Sequence, residues 1–422
     1  MYQAPRGTSD ILPEEQVYWR YIEQKAVDLC QLYGYQRIDT PTFEDTCLFS
    51  RSIGGGTDIV EKEMYTFEDK GGNRITLRPE GTAPVCRAYL EHGMHNLPQP
   101  VKLYYLTSIF RYERPQSGRY REHRQFGCEV FGEEAPALDA EVIEIAWRFF
   151  SELGIGKFTL LLNSIGCREC RPRYLDMLKK YYQRYTDELC KDCKARLERN
   201  PLRLLDCKKP LCRRIAGSAP QSADNLCAEC AEHFRQLRNY LELLGIPFVV
   251  DHCLVRGLDY YTRTVFEIQP ESEGAQSTLG GGGRYDYLIE ELGGKPTPAI
   301  GFASGMERIV LNLNKQKIDV TPPCQPGIFI ASLGENATNE ALKLASWLRW
   351  AGIRVMQSGT GKSLKAQLRH ANACGAALTI IIGEDEVKSG TVLLRDMATS
   401  EQSSIPTGEI AEEIKYRCQP IF

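Results

Sequence analysis

Apolar residues recur at helical spacing near the start of the chain. Between residues 17 and 34 they form one broad stripe, and a glycine follows where a helix would end. The stripe consists of Val17, Ile22, Ala26, Leu29 and Leu32, and the glycine is Gly34. The pattern predicts an opening amphipathic helix.

Short β-rich runs come next and alternate with helical patterns. The runs cover residues 74–77, 101–109 and 130–131, and a helical pattern covers residues 138–153. This mixture predicts a mixed sheet with helices packed on it, an α+β core rather than a doubly wound repeat.

The middle of the chain has a different texture. From residue 167 to about residue 244, polar helical patterns and clustered cysteines replace the β-rich runs, which resume at residues 249–251 and 260–268. We expect a cysteine-rich helical insertion over residues 167–244, within a core made of residues 1–166 and 245–320.

The last hundred or so residues form a separate pattern. Residues 321–327, TPPCQPG, are proline-rich, which predicts a domain boundary. After them GIFIASLG, IRVMQS and ALTIIIG alternate with helical patterns. We predict a compact α/β domain with a largely parallel sheet over residues 325–422.

Composition narrows the class of protein. The chain has 422 residues, 42% hydrophobic and 25% charged, which is typical of a globular protein of two or three domains. No signal-like start and no run of roughly 18 to 20 apolar residues is present, so we expect neither secretion nor a membrane span, and a cytoplasmic location. A formal charge of -3 restricts any nucleic-acid contact to local patches.

The sixteen cysteines then indicate reduced thiols, some of them holding metal. Two C-x₂-C pairs, Cys167 with Cys170 and Cys190 with Cys193, have a spacing that predicts a structural Zn²⁺ site. A second, less regular set is Cys207, Cys212, Cys227 and Cys230. The alternative is that all of them are reduced cysteines in a helical insertion without metal.

Three stretches carry candidate chemistry. Residues 110–132, FRYERPQSGRYREHRQFGCEVFG, alternate arginines with aromatic residues, which suits phosphate and base binding, although an exposed salt-bridged hairpin has the same pattern. In LVRGLDYYTRTVF, Arg256 is either a structural ion-pair member or a fixed cation for an anionic ligand. In LGGGGRYDYLIEELGG the glycines permit close approach of the backbone to a ligand or form plain turns.

Together with RPEGT at residues 78–82, these stretches resemble class II aminoacyl-tRNA synthetases, specifically the histidyl-tRNA synthetase family. The resemblance extends from PRGTSDILP through TPTFEDTCLFSRSIGG and TDIVEKEMYTF to the C-terminal domain, in the expected order. It implies a core of antiparallel sheet, a C-terminal anticodon-binding domain and, from DTPTFED around Pro41, a homodimer.

The resemblance also implies residue roles. Arg111 and Arg256 would be catalytic, bracketing the ATP α-phosphate. The ATP-binding residues would be Arg111, Arg119, His123 and Arg308. The histidine site would consist of Glu80, Gly81, Thr82, Arg111, Gln125, Glu129, Arg256, Tyr260 and Tyr261. Lys362 and Lys365 would face RNA phosphates or solvent.

The implied reaction is activation of L-histidine with ATP and Mg²⁺, followed by transfer to tRNA-His. Two departures from the family pattern stand out: His123 and Arg124 replace phenylalanine and histidine, and Tyr287 replaces a glycine. One alternative is the synthetase-like regulatory subunit of ATP phosphoribosyltransferase, a histidine sensor that typically lacks the anticodon-binding domain. Another is a zinc-organised RNA-binding protein, which leaves the arginines unexplained.

Overall fold

A computed structural model describes residues 2–54, 57, 59–113, 119–271, 278–320, 327–357 and 361–417. The chain divides into two compact units, Met1–Val320 and Thr321–Phe422. The proline-rich segment 321–326, where the sequence predicts a boundary, lies outside the described residues.

The first unit combines helices with two sheets. Its helices are α1 (Gln16–Leu32), α2 (Thr46–Ser52), α3 (Thr82–Glu91), α4 (Pro136–Glu152), α5 (Arg171–Gln183), α6 (Lys191–Arg199), α7 (Pro210–Gly217), α8 (Ala228–Leu243), α9 (Leu288–Glu291) and α10 (Met306–Lys315). Its strands are β1 (Gln36–Arg37), β2 (Phe43–Asp45), β3 (Tyr65–Glu68), β4 (Arg74–Leu77), β5 (Val101–Phe110), β6 (Glu122–Phe131), β7 (Phe158–Ser164), β8 (Phe248–Val250), β9 (Thr262–Pro270), β10 (Gly280–Arg284) and β11 (Ala299–Gly305).

The main sheet has the strand order β1–β5–β6–β11–β10–β9–β7–β8, and a small sheet has the order β2–β4–β3. Neighbouring strands of the main sheet are antiparallel except at its two edges, where β1 runs parallel to β5 and β8 runs parallel to β7. Helices α5 to α8 lie in the chain between β7 and β8. The α+β core predicted from the sequence is confirmed.

The opening helix buries most of the apolar stripe from which it was predicted. It buries Trp19, Ile22, Ala26 and Leu29 in the main core, with helices α4 and α10 as neighbours. Burying a side chain of the Leu or Ile type stabilises the fold by roughly 1.5–3 kcal/mol. The helix ends at Leu32, which is 72% exposed, and Gly34 follows with φ +76°, as expected for a helix terminator.

The second unit consists of β12 (Gly327–Ser332), α11 (Glu335–Trp350), β13 (Val355–Gln357), α12 (Leu364–Ala373), β14 (Ala376–Ile382), α13 (Glu384–Ser389), β15 (Thr391–Asp396), β16 (Gln402–Pro406) and α14 (Ile410–Arg417). Its sheet has the order β13–β12–β14–β15–β16. The first three of these strands are parallel, as predicted, but β15 and β16 are antiparallel.

The prediction of a largely parallel sheet was therefore wrong at this edge. A parallel crossover needs about a dozen residues or more. The link from β14 to β15 contains only the short helix α13, so the chain turns back and pairs antiparallel.

Among the described residues, no helix is both long and apolar enough to cross a membrane.

Candidate active site

One open cleft in the first unit collects most of the predicted site residues. It encloses about 940 Å³ when the solvent at its mouth is included. Of the residues predicted from the sequence, the cleft is lined by Glu80, Thr82, Arg111, Arg119, His123, Gln125, Arg256, Tyr260, Tyr261 and Arg308. Residues 114–118 of the arginine stretch lie outside the described residues.

Guanidinium groups surround this cleft from several elements. Arg111 follows β5 and donates from Nε to the carbonyl of Pro79 at 2.7 Å, which fixes the orientation of its guanidinium plane. Arg119 pairs with Glu113 at 3.4 Å, and Arg308 on α10 donates to the carbonyl of Thr278 at 2.9 Å. The cleft is thus suited to a polyanionic ligand such as a nucleotide triphosphate.

Arg256 is held by a carboxylate that the sequence analysis did not single out. Its Nη1 donates to Glu267, whose other oxygen accepts from Gln269 and from Thr278, each at 3.0 Å. Burial lowers the pKa of Arg256, but the charges and hydrogen bonds of Glu267 and Tyr261 together outweigh burial and raise the pKa above its ordinary value, so the guanidinium stays charged. The ion-pair and the fixed-cation interpretations of Arg256 are therefore compatible.

Four cleft-lining residues each have a buried polar atom without a hydrogen-bond partner among the described residues. These atoms are Nε of Arg256, Oε1 of Gln125, Oε2 of Glu113 and Oε2 of Glu307. Buried polar atoms without partners cost free energy, and a ligand can supply the missing bond. Their presence in the lining of one cleft supports a polar ligand there.

The strand alternation of β6 explains the first departure from the family pattern. His123 and Gln125 lie on the face toward the cleft, whereas Arg124 lies on the other face. There Arg124 bonds Glu23 at 3.2 Å and stacks over Trp19 of α1. Burial, Arg111 and Arg308 lower the pKa of His123 to about 3, so its imidazole is neutral at physiological pH.

The part of the cleft that is lined by Glu80, Tyr260 and Tyr261 is polar and buried. Glu80 is 3% exposed, and its carboxylate accepts from the backbone N–H groups of Thr82 and Ala83, at 2.7 and 2.8 Å, at the start of α3. Burial raises the pKa of Glu80, and these bonds oppose that rise. The rings of Tyr260 and Tyr261 lie beside each other with centroids 4.9 Å apart.

Gly81 and Glu129, both predicted as histidine contacts, are not among the lining residues. Glu129 lies behind the wall, 1% exposed, and accepts from the hydroxyl of Thr82 at 2.7 Å and from that of Tyr285. Burial raises its pKa to about 8. Gly81 lies against the ring of Tyr105: a Cβ there would be 2.4 Å from that ring. Both residues therefore shape the wall from behind it.

Tyr105 and Tyr285 are site residues that the sequence analysis missed. Tyr105 bonds Glu129 at 3.2 Å and stands opposite Gly127 on the neighbouring strand. A Cβ at Gly127 would be 2.3 Å from the Tyr105 ring. A glycine inside a strand often marks a close approach of a neighbouring group, so Gly127 is the signal in the sequence from which this contact could have been predicted.

Among the described residues, eight cysteines gather in two clusters, in each of which the ligand atoms lie within 4.8 Å of one another. One cluster is Cys167, Cys170, Cys227 and Cys230, and the other is Cys190, Cys193, Cys207 and Cys212. The predicted quartet of Cys167, Cys170, Cys190 and Cys193 was therefore wrong. Helix α5 separates its two pairs along the chain, and each pair meets a partner from farther along the insertion.

The second departure, Tyr287, connects the core to the insertion. The guanidinium of Arg168 stacks 3.8 Å above the Tyr287 ring and pairs with Glu290 and Glu291, at 2.8 and 2.9 Å. A glycine could not form this stack. Arg168 lies between Cys167 and Cys170, so Tyr287 fixes the loop of the first cysteine cluster.

Comparison with known proteins agrees with this geometry. Residues 7–309 match the family model described as histidyl-tRNA synthetase. The chain belongs to the histidyl-tRNA synthetase family. It is therefore an aminoacyl-tRNA synthetase, and residues 327–417 match the model of an anticodon binding domain, as the resemblance implied.

Relatives in this family cover nearly the whole chain. A histidine–tRNA ligase of Dehalococcoides mccartyi is 60% identical over 98% of this chain and 99% of its own. One of Desulforudis audaxviator is 52% identical over the same shares. The apo crystal structure of S. aureus histidyl-tRNA synthetase is 40% identical, covers 98% of this chain and 100% of its own, and superposes with a TM-score of 0.84. These full-length matches favour the ligase over the regulatory-subunit alternative.

Proposed function

We propose that this chain activates L-histidine with ATP, releases pyrophosphate, and transfers histidine from the adenylate to the 3′ end of tRNA-His. The observation that carries the proposal is the convergence of Arg111, Arg256 and Arg308 on one cleft that is also lined by a buried carboxyl group, Glu80, and by two buried tyrosines. The arginines suit the triphosphate, and the pocket suits the amino acid.

In the proposed adenylation step, the histidine carboxylate attacks the α-phosphate in line and pyrophosphate leaves. Negative charge builds on the phosphate oxygens as this happens. Arg111 and Arg256 are proposed to bracket that charge, since both guanidinium groups are held in place before substrate arrives, by Pro79 and by Glu267 respectively. Arg119 and Arg308 are proposed to bind the outer phosphates, and the neutral ring of His123 to stack on adenine.

Histidine recognition is proposed for the pocket of Glu80, Thr82, Gln125, Tyr260 and Tyr261. The buried Oε1 of Gln125 accepts an N–H of the substrate, and the tyrosine hydroxyls serve its ring nitrogens or ammonium group. Glu129 is proposed to act from behind, by holding the hydroxyl of Thr82. A site that leaves its polar groups unpaired with a wrong side chain discriminates by roughly 10⁴ or more.

Carboxylates in the cleft suit the expected metal. Glu113 and Glu307 line it, and carboxylate oxygens are ligands that Mg²⁺ prefers. When bound, Mg²⁺ screens the β- and γ-phosphates. No cysteine is among the described residues that line the cleft, so we propose for the insertion a structural metal with no part in the chemistry.

We further propose a cytoplasmic homodimer. The segment around Pro41 that resembles the family's dimer motif is tied to β5 by Arg78, whose guanidinium donates to the carbonyls of Thr40, Pro41 and Ser108, at 2.8, 3.0 and 2.7 Å. On the adjoining small sheet, Phe43 and Phe67 are 52% and 47% exposed, as a dimer contact requires of apolar side chains before association.

In the second unit, α12 carries an exposed basic face. Lys365 and Arg369 lie one turn apart on this helix, and Lys362 precedes it, all three exposed. We propose that these side chains bind phosphates of the tRNA.

ATP–pyrophosphate exchange tests the activation step. The purified chain, without tRNA, is assayed with each standard amino acid in turn. We expect exchange with histidine alone. Exchange with no amino acid, from folded protein that still binds histidine, would contradict the proposal and favour the histidine-sensor alternative.

A further inference from the structure

The two cysteine clusters of the insertion have the dimensions of metal sites. Within the first, the Sγ atom of Cys167 lies 3.8 Å from that of Cys170 and 3.8 Å from that of Cys227. Within the second, the Sγ atoms of Cys190 and Cys207 are 3.9 Å apart. All eight cysteines are free thiols, and these separations are far longer than a disulfide bond of about 2.05 Å.

Tetrahedral zinc requires this separation. A Zn–S distance of about 2.3 Å places the sulfur atoms at the corners of a tetrahedron with edges of about 3.8 Å. Four convergent cysteines without carboxylate or histidine ligands form a donor set that selects Zn²⁺ over harder cations. The observed separations match such an edge in both clusters.

The backbone around each cluster directs helix N-termini and N–H groups at the cysteines. Cys170 and Cys227 immediately precede α5 and α8, and Cys190 immediately precedes α6, so their sulfurs lie at positive ends of helices. The N–H of Cys167 donates to the sulfur of Cys170 at 3.3 Å, and the N–H of Cys190 donates to that of Cys212 at 3.4 Å. Metal-bound sulfur commonly accepts such outer hydrogen bonds, which hold the ligand in place.

We infer that the insertion binds two structural Zn²⁺ ions, one in each four-cysteine cluster. Each ion displaces the four thiol protons of its cluster and joins segments that are distant along the chain. The first ion joins the segment after β7 to the start of α8, and the second joins α6 to α7. The inference deepens the structural metal that the proposed function gives to the insertion.

The first zinc cluster is connected to the active-site cleft. Next to Cys170, Arg171 donates to the carbonyls of Ile165 and Gly166, at 3.3 and 3.1 Å, and to that of Tyr261. Tyr261 lines the cleft and lies beside Arg256. An ion at Cys167 and Cys170 therefore fixes the loop that supports the histidine pocket.

Metal analysis of the full chain tests this inference. Protein from zinc-supplemented growth is passed over a chelating resin, and its zinc content is measured by plasma mass spectrometry. We expect two zinc ions per chain. Cys227→Ser and Cys212→Ser should each lose one ion, and the double variant should lose both. Cys47→Ser and Cys374→Ser, which change exposed cysteines outside the clusters, should keep two.

A second measurement covers variants that do not fold. Wild-type chain grown with Co²⁺ should show the intense visible bands of tetrahedral cobalt thiolate, with two ions per chain. Less than one metal ion per chain, with the cluster thiols reacting at once with a thiol reagent, would overturn the inference. Histidine-dependent pyrophosphate exchange is measured on the same samples: exchange without zinc contradicts the zinc sites alone, and zinc without exchange contradicts the proposed function alone.

Discussion

Replacing Arg256 separates its structural contribution from its chemical one. Arg256→Gln leaves the carboxylate of Glu267 without its cation, and breaking a buried pair by removing one partner costs about 3–5 kcal/mol. The two side chains are 21% and 16% exposed, so we expect about 3 kcal/mol of lost stability, at the lower end. Activity should fall in the same variant, but its loss alone would not distinguish misfolding from missing chemistry.

The double variant Arg256→Gln with Glu267→Gln makes that distinction. Both charges disappear together, and the new amide still bonds Gln269 and Thr278. We expect stability to return to within about 1 kcal/mol of wild type, because a buried pair replaced as a unit is often neutral. Adenylation should stay reduced by about 10²–10³-fold, the loss seen when one preorganised donor to a developing charge is removed.

The assays are denaturant unfolding of each variant, pyrophosphate exchange with histidine, and equilibrium binding of histidine. In the double variant, the rate of exchange should fall far more than histidine affinity. Equal losses in rate and affinity would refute a transition-state role for Arg256. Full recovery of exchange in the double variant would show that Arg256 is only a structural ion-pair member.

Three further predictions concern the cleft residue His123 and two residues behind the cleft wall, Glu129 and Gly301. Burial raises the pKa of Glu129 to about 8, so the folded chain keeps a proton that the unfolded chain releases above about pH 4.5. The free energy of unfolding therefore falls by about 1.4 kcal/mol per pH unit between these two values. Glu129→Gln should therefore flatten the fall of stability from about pH 4.5 to 8, measured by denaturant unfolding, and an unchanged slope would contradict the assignment. Gly301→Ala places a Cβ 1.8 Å from the Glu129 side chain and should weaken histidine binding and destabilise the fold by about 1–3 kcal/mol. The control is Gly408→Ala in the second unit, where a Cβ meets nothing within 4 Å; equal effects of both substitutions would refute the argument. His123→Phe keeps a stacking ring and should retain exchange with a similar KM for ATP; since the pKa of His123 is about 3, the wild-type KM should show no inflection from this residue above pH 6, and an inflection that His123→Phe removes would contradict this.

The arginines of the cleft were predictable because their signals are local. Arg111, Arg119 and Arg308 stand in short motifs that resemble those of a known family, and the resemblance, not the spacing of the residues, implied their roles. The opening helix and most strands were predictable from local features, namely the spacing of apolar residues and the glycines or prolines that end an element.

Residues behind the wall were not predictable in this way. Tyr105 contacts Glu129 across the pairing of β5 with β6, and Tyr285 contacts the same carboxyl from just after β10. Glu267 on β9 accepts from Thr278, which precedes β10. These roles depend on register and on which segments meet, and local pattern leaves both open. Glycines within the strands give indirect information about this register, because each one marks a place where a neighbouring side chain comes close. Gly301 stands opposite Glu129, and its missing side chain leaves the space that the buried carboxylate occupies.

The grouping of the cysteines also depends on which distant segments meet, which the local sequence does not determine. Spacing identifies each C-x₂-C pair as half of a site, but which halves meet depends on where helices turn. Cys167 and Cys170 meet Cys227 and Cys230 because β7 ends beside the start of α8, near Arg263, whose N–H donates to Gly166 at 2.9 Å.

The unusual tyrosine next to the glycine run belongs to the same arrangement. Tyr287 replaces the glycine that is usual in the family, and Arg168, the residue it stacks on, lies inside the first cysteine pair. Arg168 also pairs with Glu290 and Glu291 on α9, so the cluster loop is fixed to the core by both a ring and charges. Two features that are far apart along the sequence, the tyrosine and the cysteines, therefore meet at one contact between the core and the insertion.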